Sequence, residues 1–259
     1  MNLDLLSNVS AINKEFKIKI EGRENMIRMI IFDLDSTLAP IGQGMGEEEL
    51  KLFRQLEDIG VQIAICSGKT CDYLCGFMRQ IGLKNPILIG ENGAVIRFGI
   101  DLPPKRHYRV PFSEEAVNSL KKVRQILEER FPHIWFQPNK IGVTPFPASE
   151  EEFDKIEEVL EEYREELKGI KVFRHIDSFD IVPAQINKAV GISYLLEKMG
   201  MKTEEIIAVG DGVNDYSMFE LAGYSVGVNV KEEERVDKNC KNTLEMLKFS
   251  LEYLQSIMP

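Results

Sequence analysis

Ile30-Ile31-Phe32-Asp33-Leu34-Asp35-Ser36-Thr37-Leu38 decides the fold class. The apolar run Met29 to Phe32 ends abruptly in two aspartates one residue apart. An unbroken run of this kind predicts a strand buried on both faces, as in a parallel sheet. Asp33 and Asp35 then stand where the strand ends, and open α/β sheets bind ligands outside the carboxyl ends of their strands. If the strand geometry persists, alternation puts both carboxylates on one side. They repel each other there unless something compensates, and a divalent cation is the usual choice. Taken alone, the segment reads equally well as a turn in which each Asp accepts from a backbone N–H.

The pattern continues outward from this strand. Ala39 to Gly46 is a loop with one Pro and three Gly. Glu47 to Ile59 carries Leu50, Phe53, Leu56 and Ile59 on one helical stripe, and Gly60 stops it. Val61–Cys66 is a second apolar strand, ending in Ser67-Gly68-Lys69-Thr70. A helix over Cys71–Ile81 and a strand over Pro86–Gly90 follow, the latter ending in Glu91-Asn92-Gly93. This β-α-β-α-β order implies parallel strands with right-handed crossovers.

After Gly93 the strands come in pairs: Ala94–Phe98 with His107–Val110, Ile134–Gln137 with Ile141–Thr144, and Lys171–His175 with Ser178–Val182. Helical stretches Ser113–Arg130 and Ser149–Leu167 separate the pairs, so an α+β module with an antiparallel sheet is expected over 93–182. From Asn187 the first pattern resumes: helix Ala189–Met199, strand Ile206–Val209, loop Gly210–Asp215, helix Tyr216–Ala222, strand Ser225–Val228 and helix Thr243–Ile257. The α/β core is thus expected over 1–92 and 183–259. Within 1–25, Phe16–Ile20 alternates as an edge strand or ordered arm would, and carries no assigned function.

Composition bounds the function. The chain has 259 residues, 44% of them hydrophobic, and a net charge of −10. Such an acidic balance argues against sequence-independent nucleic-acid binding or an anionic membrane as partner. No apolar run approaches the length of a membrane span, and no secretory signal is evident, so a cytoplasmic location is the default. Nothing in the sequence fixes an oligomeric state. Cys66, Cys71 and Cys75 are spaced C-x4-C-x3-C without a nearby His, which fits reduced, buried thiols better than a zinc site.

Three core strands therefore end in polar clusters: Asp33/Asp35, Ser67 and Asp211/Asp215, with Lys188 opening the helix after the inserted module. Each alone reads as turn or capping chemistry. Together they have a chemical logic. Asp33 can attack phosphorus as a carboxylate nucleophile. Asp35 can protonate a leaving alcohol and then deprotonate water. Ser67 and the N–H of Gly68 can hold phosphoryl oxygens at a helix N-terminus. Lys188 can offset transition-state charge. Asp211 and Asp215 complete an oxygen-rich site suited to Mg²⁺, and Asn214 can orient the phosphoryl group or a ligating carboxylate.

D-x-D-x-T, an S-G at a strand end, a Lys and G-D-G-x-N-D together resemble the four-motif signature of the haloacid dehalogenase (HAD) superfamily, and the Asp-x-Asp pair resembles that of its phosphatases. The insertion between the second and third motifs resembles a C2-type cap of the smaller form found in Cof-like, sucrose-phosphate and archaeal phosphoglycolate phosphatases. Glu91-Asn92-Gly93-Ala94 is similar to the Cof-like N-G-A turn. The resemblance covers about residues 26–230. It implies a Rossmann-like α/β core with an α+β cap and an Mg²⁺-dependent phosphatase acting on a small phosphorylated metabolite through an aspartyl phosphate. It also implies Asp33 as nucleophile, Asp35 as acid/base, and metal ligation by Asp33, the Asp35 carbonyl, Asp211 and Asp215. Ser67, Gly68, Lys188 and Asn214 would bind phosphate. Position 36 is Ser where many members have Gly, so the backbone there is expected to avoid a glycine-only conformation. A phosphomutase and a non-catalytic binding protein on the same fold remain as alternatives.

The inserted module's charges are uneven. Ser149–Ile170 holds ten acidic and three basic residues, whereas its strand segments are net basic. Lys105, Arg106, Arg109, Lys140, Lys171, Arg174 and His175 are either a cationic face over the site or compensation for the acidic helix.

Overall fold

In the computed structural model, which describes residues 27–257, the first strand is β1 (Met29–Phe32), and its four residues have no exposed surface. Phe16–Ile20 lies outside the described residues. β1 pairs in parallel with β2 (Gln62–Cys66) on one side and β10 (Ile206–Gly210) on the other, placing Ile31 beside both Ala64 and Ala208. The sheet continues through β3 (Ile87–Gly90), β4 (Val95–Phe98) and β5 (Arg106–Arg109) in one direction. In the other it continues through β11 (Tyr224–Val228) and β12 (Lys238–Cys240). The order β12-β11-β10-β1-β2-β3-β4-β5 makes β1 the place where the chain's direction of travel reverses. A ligand crevice at the carboxyl end of β1 follows from that topology. β12 was not expected from its sequence, because Lys238-Asn239-Cys240 is too short and polar to show a strand period.

Helices α1 (Glu47–Asp58) and α2 (Cys71–Ile81) follow β1 and β2 as expected. Thr70 caps α2 by accepting from the Tyr73 N–H at 3.2 Å. All four cysteines are free and buried. Helix α5 (Lys188–Met199) is capped by Asn187, whose side chain accepts from Val190 N–H. Helices α6 (Tyr216–Leu221) and α7 (Thr243–Ile257) complete the core. No helix among the described residues is long and apolar enough to cross a membrane.

One expectation for the inserted module fails and another holds only in part. Ala94–Phe98 and His107–Val110 were expected in its sheet. The strands seen there, β4 and β5, do pair antiparallel with each other, but β4 also pairs with β3, Ile96 opposite Ile89. Val95 and Ile96 are buried in the main apolar core, and β4 covers the edge that β3 would otherwise expose. Ile134–Gln137 and Ile141–Thr144 are expected to pair, and they do so only at one end: Gln137 N–H donates to Thr144 C=O at 2.9 Å, while the paired strands β6 (Trp135–Phe136) and β7 (Pro145–Phe146) carry the ladder past Thr144. Buried Val143 exchanges hydrogen bonds of 2.9 and 3.0 Å with Ile181 on β9 (Phe179–Pro183). Segment 141–144 therefore links that hairpin to the one formed by β8 (Ile170–Arg174) and β9. Helices α3 (Glu114–Arg130) and α4 (Glu150–Glu162) close a second apolar cluster running from Leu120 to Ile181. α4 stops short of the expected Leu167. Its last turn has no basic residue, so Glu161, Glu162, Glu165 and Glu166 oppose the helix dipole there.

One close approach sets the position of α5. A Cβ on Gly191 would lie 2.5 Å from the Cα of Gly93, and Gly93 itself has φ 105°, a left-handed value. Gly191→Ala should therefore destabilise the protein by about 1–3 kcal/mol. Thermal unfolding checks this, and an unchanged midpoint would show that the turn and helix can separate freely.

Candidate active site

Asp33, Ser67 and Asp211 follow β1, β2 and β10, three adjacent parallel strands, so the sheet alone brings them to one edge. Lys188 is the first residue of α5 and is 1% exposed. Its Nζ donates to Asp33 Oδ1 and Asp215 Oδ1, each at 2.5 Å. A buried ammonium at a helix N-terminus is unfavourable by itself. The two carboxylates offset that cost and hold Lys188 charged, well above its ordinary pKa, although burial works against the charge.

The carboxylates are over-supplied. Asp33, Asp211 and Asp215 bring ligand oxygens within 4.8 Å of one another. Against one ammonium they leave two negative charges. Burial, with Asp215 and Asp211 adding to it, pushes the Asp33 carboxyl up to about 8 despite the pull of Lys188. Asp211 is raised to about 6, chiefly by burial and then by Asp215. Asp215 is fixed by the N–H groups of Asp211 and Gly212, at 2.9 and 3.0 Å. A hard divalent cation fits this set, because it supplies the missing positive charge and prefers oxygen donors.

Asp35 stands apart. Its carboxylate is 3.6 Å from Lys69 Nζ, partly exposed, and faces the same cleft as Asp33. Its side chain is therefore not one of the clustered carboxylates. Ser36 has φ 64°, in the left-handed region that favours glycine but admits other residues, so the conformation there is not a glycine-only one. The tight turn requires it: Ser36 N–H donates to Ala39 C=O at 2.7 Å. Ser67 is 2% exposed, and its Oγ accepts from the Lys69 N–H at 3.2 Å, leaving the hydroxyl hydrogen for a ligand. A Cβ on Gly68 would lie 3.1 Å from Asp180 Oδ2, so the roof of the cleft rests closely on this loop. Asn214 is exposed at the cleft wall.

The carboxylate-orienting part considered for Asn214 is taken by Thr37, whose hydroxyl donates to Asp211 Oδ1 at 2.9 Å. Thr37 is the last residue of D-x-D-x-T, so the motif contained the signal and only the role was missed. Sequence reasoning also missed Asp180, Thr144 and Gln137, which come from the second apolar cluster's strands and loops to line a cleft of about 250 Å³. Asp180 accepts from Asn92 Nδ2 at 2.7 Å and Thr144 Oγ1 at 2.8 Å, with His175 Nε2 at 3.4 Å. Burial opposes its charge, but His175, Asn92 and Thr144 outweigh that and hold its carboxyl below the usual range. Asp180 in turn holds the His175 imidazole above its ordinary pKa. Gln137 Nε2 donates to Gly68 C=O at 3.1 Å, tying the roof to the phosphate-loop candidate.

Of the seven basic candidates, only His175 lines this cleft. Arg174 pairs with Glu150 and Glu157 at 2.6 and 3.0 Å, and Lys140 and Lys105 pair with Asp72 and Asp101. Arg106 lies over Phe98, and Lys171 lies near Phe173. Arg109 belongs to the core's edge strand. Compensation of the acidic helix is what Arg174 does, and no cationic face forms over the cleft.

The sucrose-6F-phosphate phosphohydrolase family model matches residues 26–257. A phosphoglycolate phosphatase of Methanothermobacter thermautotrophicus is 24% identical over 203 residues, covering 78% of this chain and 85% of that protein. The 5-amino-6-(5-phospho-D-ribitylamino)uracil phosphatase YwtE of Bacillus subtilis is 24% identical, covering 82% and 91%. Among solved structures, a Thermotoga maritima protein aligns with TM-score 0.71 at 19% identity, covering 90% of this chain and 98% of that one. A haloacid dehalogenase-like hydrolase from Bacteroides thetaiotaomicron aligns with TM-score 0.67 at 21% identity, covering 86% and 99%. With its motifs assembled on the sheet edge and its whole described length matched, the chain belongs to the sucrose-6F-phosphate phosphohydrolase family and is a phosphatase of the HAD superfamily.

Proposed function

We propose that the protein hydrolyses a small phosphate monoester by way of a phosphoryl group carried on Asp33, with the inserted module acting as a cap over the cleft. The observation that carries this reading is the buried Asp33 carboxylate at the end of β1, held at 2.5 Å by Lys188 and facing an open cleft. Asp33 attacks phosphorus, and the bond to the leaving oxygen breaks as Asp35 gives that oxygen a proton. Asp35 then takes a proton from water, which attacks the aspartyl phosphate and frees Asp33 and inorganic phosphate. Ser67 Oγ–H and the Gly68 N–H hold phosphoryl oxygens, and Lys188 offsets their charge. Asp33, Asp211, Asp215 and the Asp35 carbonyl would hold Mg²⁺. When bound, the ion supplies Lewis-acid stabilisation and keeps Asp33 ionised. Hexose phosphates and phosphoglycolate, the substrate named for several relatives, are the first compounds to assay.

Release of inorganic phosphate from such esters should require Mg²⁺ and stop in EDTA, while Ca²⁺ should restore little, its looser coordination disturbing in-line geometry. Full turnover in metal-stripped buffer would remove the metal from the reading. Asp35→Ala should slow both proton transfers by roughly 10²–10⁴. With an aryl phosphate, whose leaving group needs no proton, a burst of phenol should precede slow turnover. Equal loss of burst and steady state would make Asp35 a structural residue only. Free phosphate, rather than a rearranged sugar phosphate, as product separates this reading from a phosphomutase.

A further inference from the structure

Glu91 and Asn92 are consecutive residues with φ 53° and 57°, in the left-handed region that a glutamate rarely enters. Such backbone persists only where its surroundings hold it, and it gathers at functional sites. This turn is held from two sides. Its backbone grips the loop after β2: Glu91 N–H donates to Lys69 C=O and Asn92 N–H to Ser67 C=O, each at 3.0 Å. Its side chains grip the inserted module. Glu91 is 2% exposed, and its carboxylate accepts from the successive N–H groups of Lys140 and Ile141, both at 2.8 Å, and Gly142, at 3.1 Å. Asn92 Nδ2 donates to Asp180 Oδ2.

A polar chain runs between the two grips. Gln137 Nε2 donates to Gly68 C=O and to Asn139 Oδ1, at 3.1 and 2.6 Å. Asn139 Nδ2 donates to the Thr144 hydroxyl, which donates to Asp180 Oδ1, both at 2.8 Å. Asn92 then returns the chain to the core. The Lys140–Gly142 turn lies between Asn139 and Thr144 in the sequence, so the carboxylate that fixes this turn fixes the chain's geometry. A carboxylate only accepts, and bonds to it are charge-assisted, so several donors on one buried Glu make a strong tie. Glu91 and the Lys140–Gly142 turn lie outside the lining of the cleft, so Glu91 acts through the residues it holds.

Resting on the hydrolase reading above, we infer that Glu91 is a positioning residue for phosphoryl transfer, seating the Gln137–Thr144 segment on the Ser67–Gly68 loop. The turn that shapes this loop through its backbone seats the roof through a side chain, so the two move as one unit. Filling the loop with a phosphoryl group therefore steadies the Lys140–Gly142 turn.

The test is Glu91→Gln, which keeps the shape but turns an NH₂ group toward a backbone N–H. With Mg²⁺ and whichever hexose phosphate or phosphoglycolate the wild type hydrolyses fastest, kcat should fall about 10²-fold, as misplacement of about 1 Å does. Inhibition by inorganic phosphate should change by less than about threefold, because the backbone bonds to Ser67 and Lys69 remain. Hydrogen exchange supplies the readout that a merely structural role would not move. In the wild type, inorganic phosphate with Mg²⁺ should slow exchange at the amides of Lys140, Ile141 and Gly142, and Glu91→Gln should lose that response. An unchanged kcat overturns the inference and leaves the hydrolase reading in place. So does a kcat that falls only with the thermal midpoint while the phosphate-dependent protection persists. Should Glu91→Gln fail to fold, the wild-type exchange decides alone, and amides indifferent to phosphate overturn the inference. A wild type that releases phosphate from none of these esters would sink the hydrolase reading and, with it, the role of Glu91.

Discussion

Asp33→Asn is expected to remove at least about 10⁴-fold of kcat with every substrate, because the amide keeps the shape of the carboxylate but cannot attack phosphorus. The loss should not come from unfolding, and the pH dependence of stability gives an independent check. Asp33 is pushed up to about 8 in the fold, from an ordinary value of 3.8. The folded protein therefore binds a proton at Asp33 that the unfolded chain gives up, so stability without metal falls as pH rises from 3.8 through about 8. Asn has no such proton to lose. In EDTA at pH 8, Asp33→Asn should unfold at a temperature no lower than the wild type, while being inactive with Mg²⁺ added. Activity of more than a few per cent would remove Asp33 from its role. A large drop in the thermal midpoint would mean that the Lys188 contact outweighs the burial of the charge.

Lys188→Met should be the most disruptive single change in the core. Lys188 is the one cation hydrogen-bonded to Asp33 and Asp215 among the described residues, and it is almost fully buried. Removing it leaves three clustered carboxylates without a covalently attached counter-charge, and breaking a buried pair this way costs about 3–5 kcal/mol. Activity should fall by about 10²–10³ or more, since charge developing on the phosphoryl oxygens loses its fixed cation. Mg²⁺ should recover part of the stability but little of the activity, because the ion cannot stand where Nζ stood. Lys188→Arg should not rescue it, as a planar guanidinium needs room that a residue 1% exposed does not have. Denaturant unfolding with and without Mg²⁺, alongside phosphate release, measures both effects. A Lys188→Met protein with wild-type stability in EDTA would show that the carboxylates share protons instead of relying on Lys188.

The core and the polar residues gathered at its edge can be read from the sequence. Apolar runs ending in Asp33, Ser67 and Asp211 are legible because a strand buried on both faces must be continuously apolar and must end where polar residues begin. The position of Lys188 was legible only as the opening of a helix. That its ammonium reaches Asp33 and Asp215 depends on α5 lying against the Glu91–Gly93 turn, which Gly93 and Gly191 permit. Tertiary structure alone decided the rest of the cleft. Whether β4 pairs with β3 or with a distant hairpin is set by which edge is left open, and local periodicity carries no record of that. The charges near the site show the same limit. Of seven basic residues expected in the inserted module only His175 reaches the roof, because Arg174 turns to the acidic helix and Lys140 to Asp72, while a buried aspartate, Asp180, faces the Ser67–Gly68 loop. Composition fixes how many charges a segment holds. Only the packing of side chains around each one fixes which are paired in place and which remain to meet a ligand.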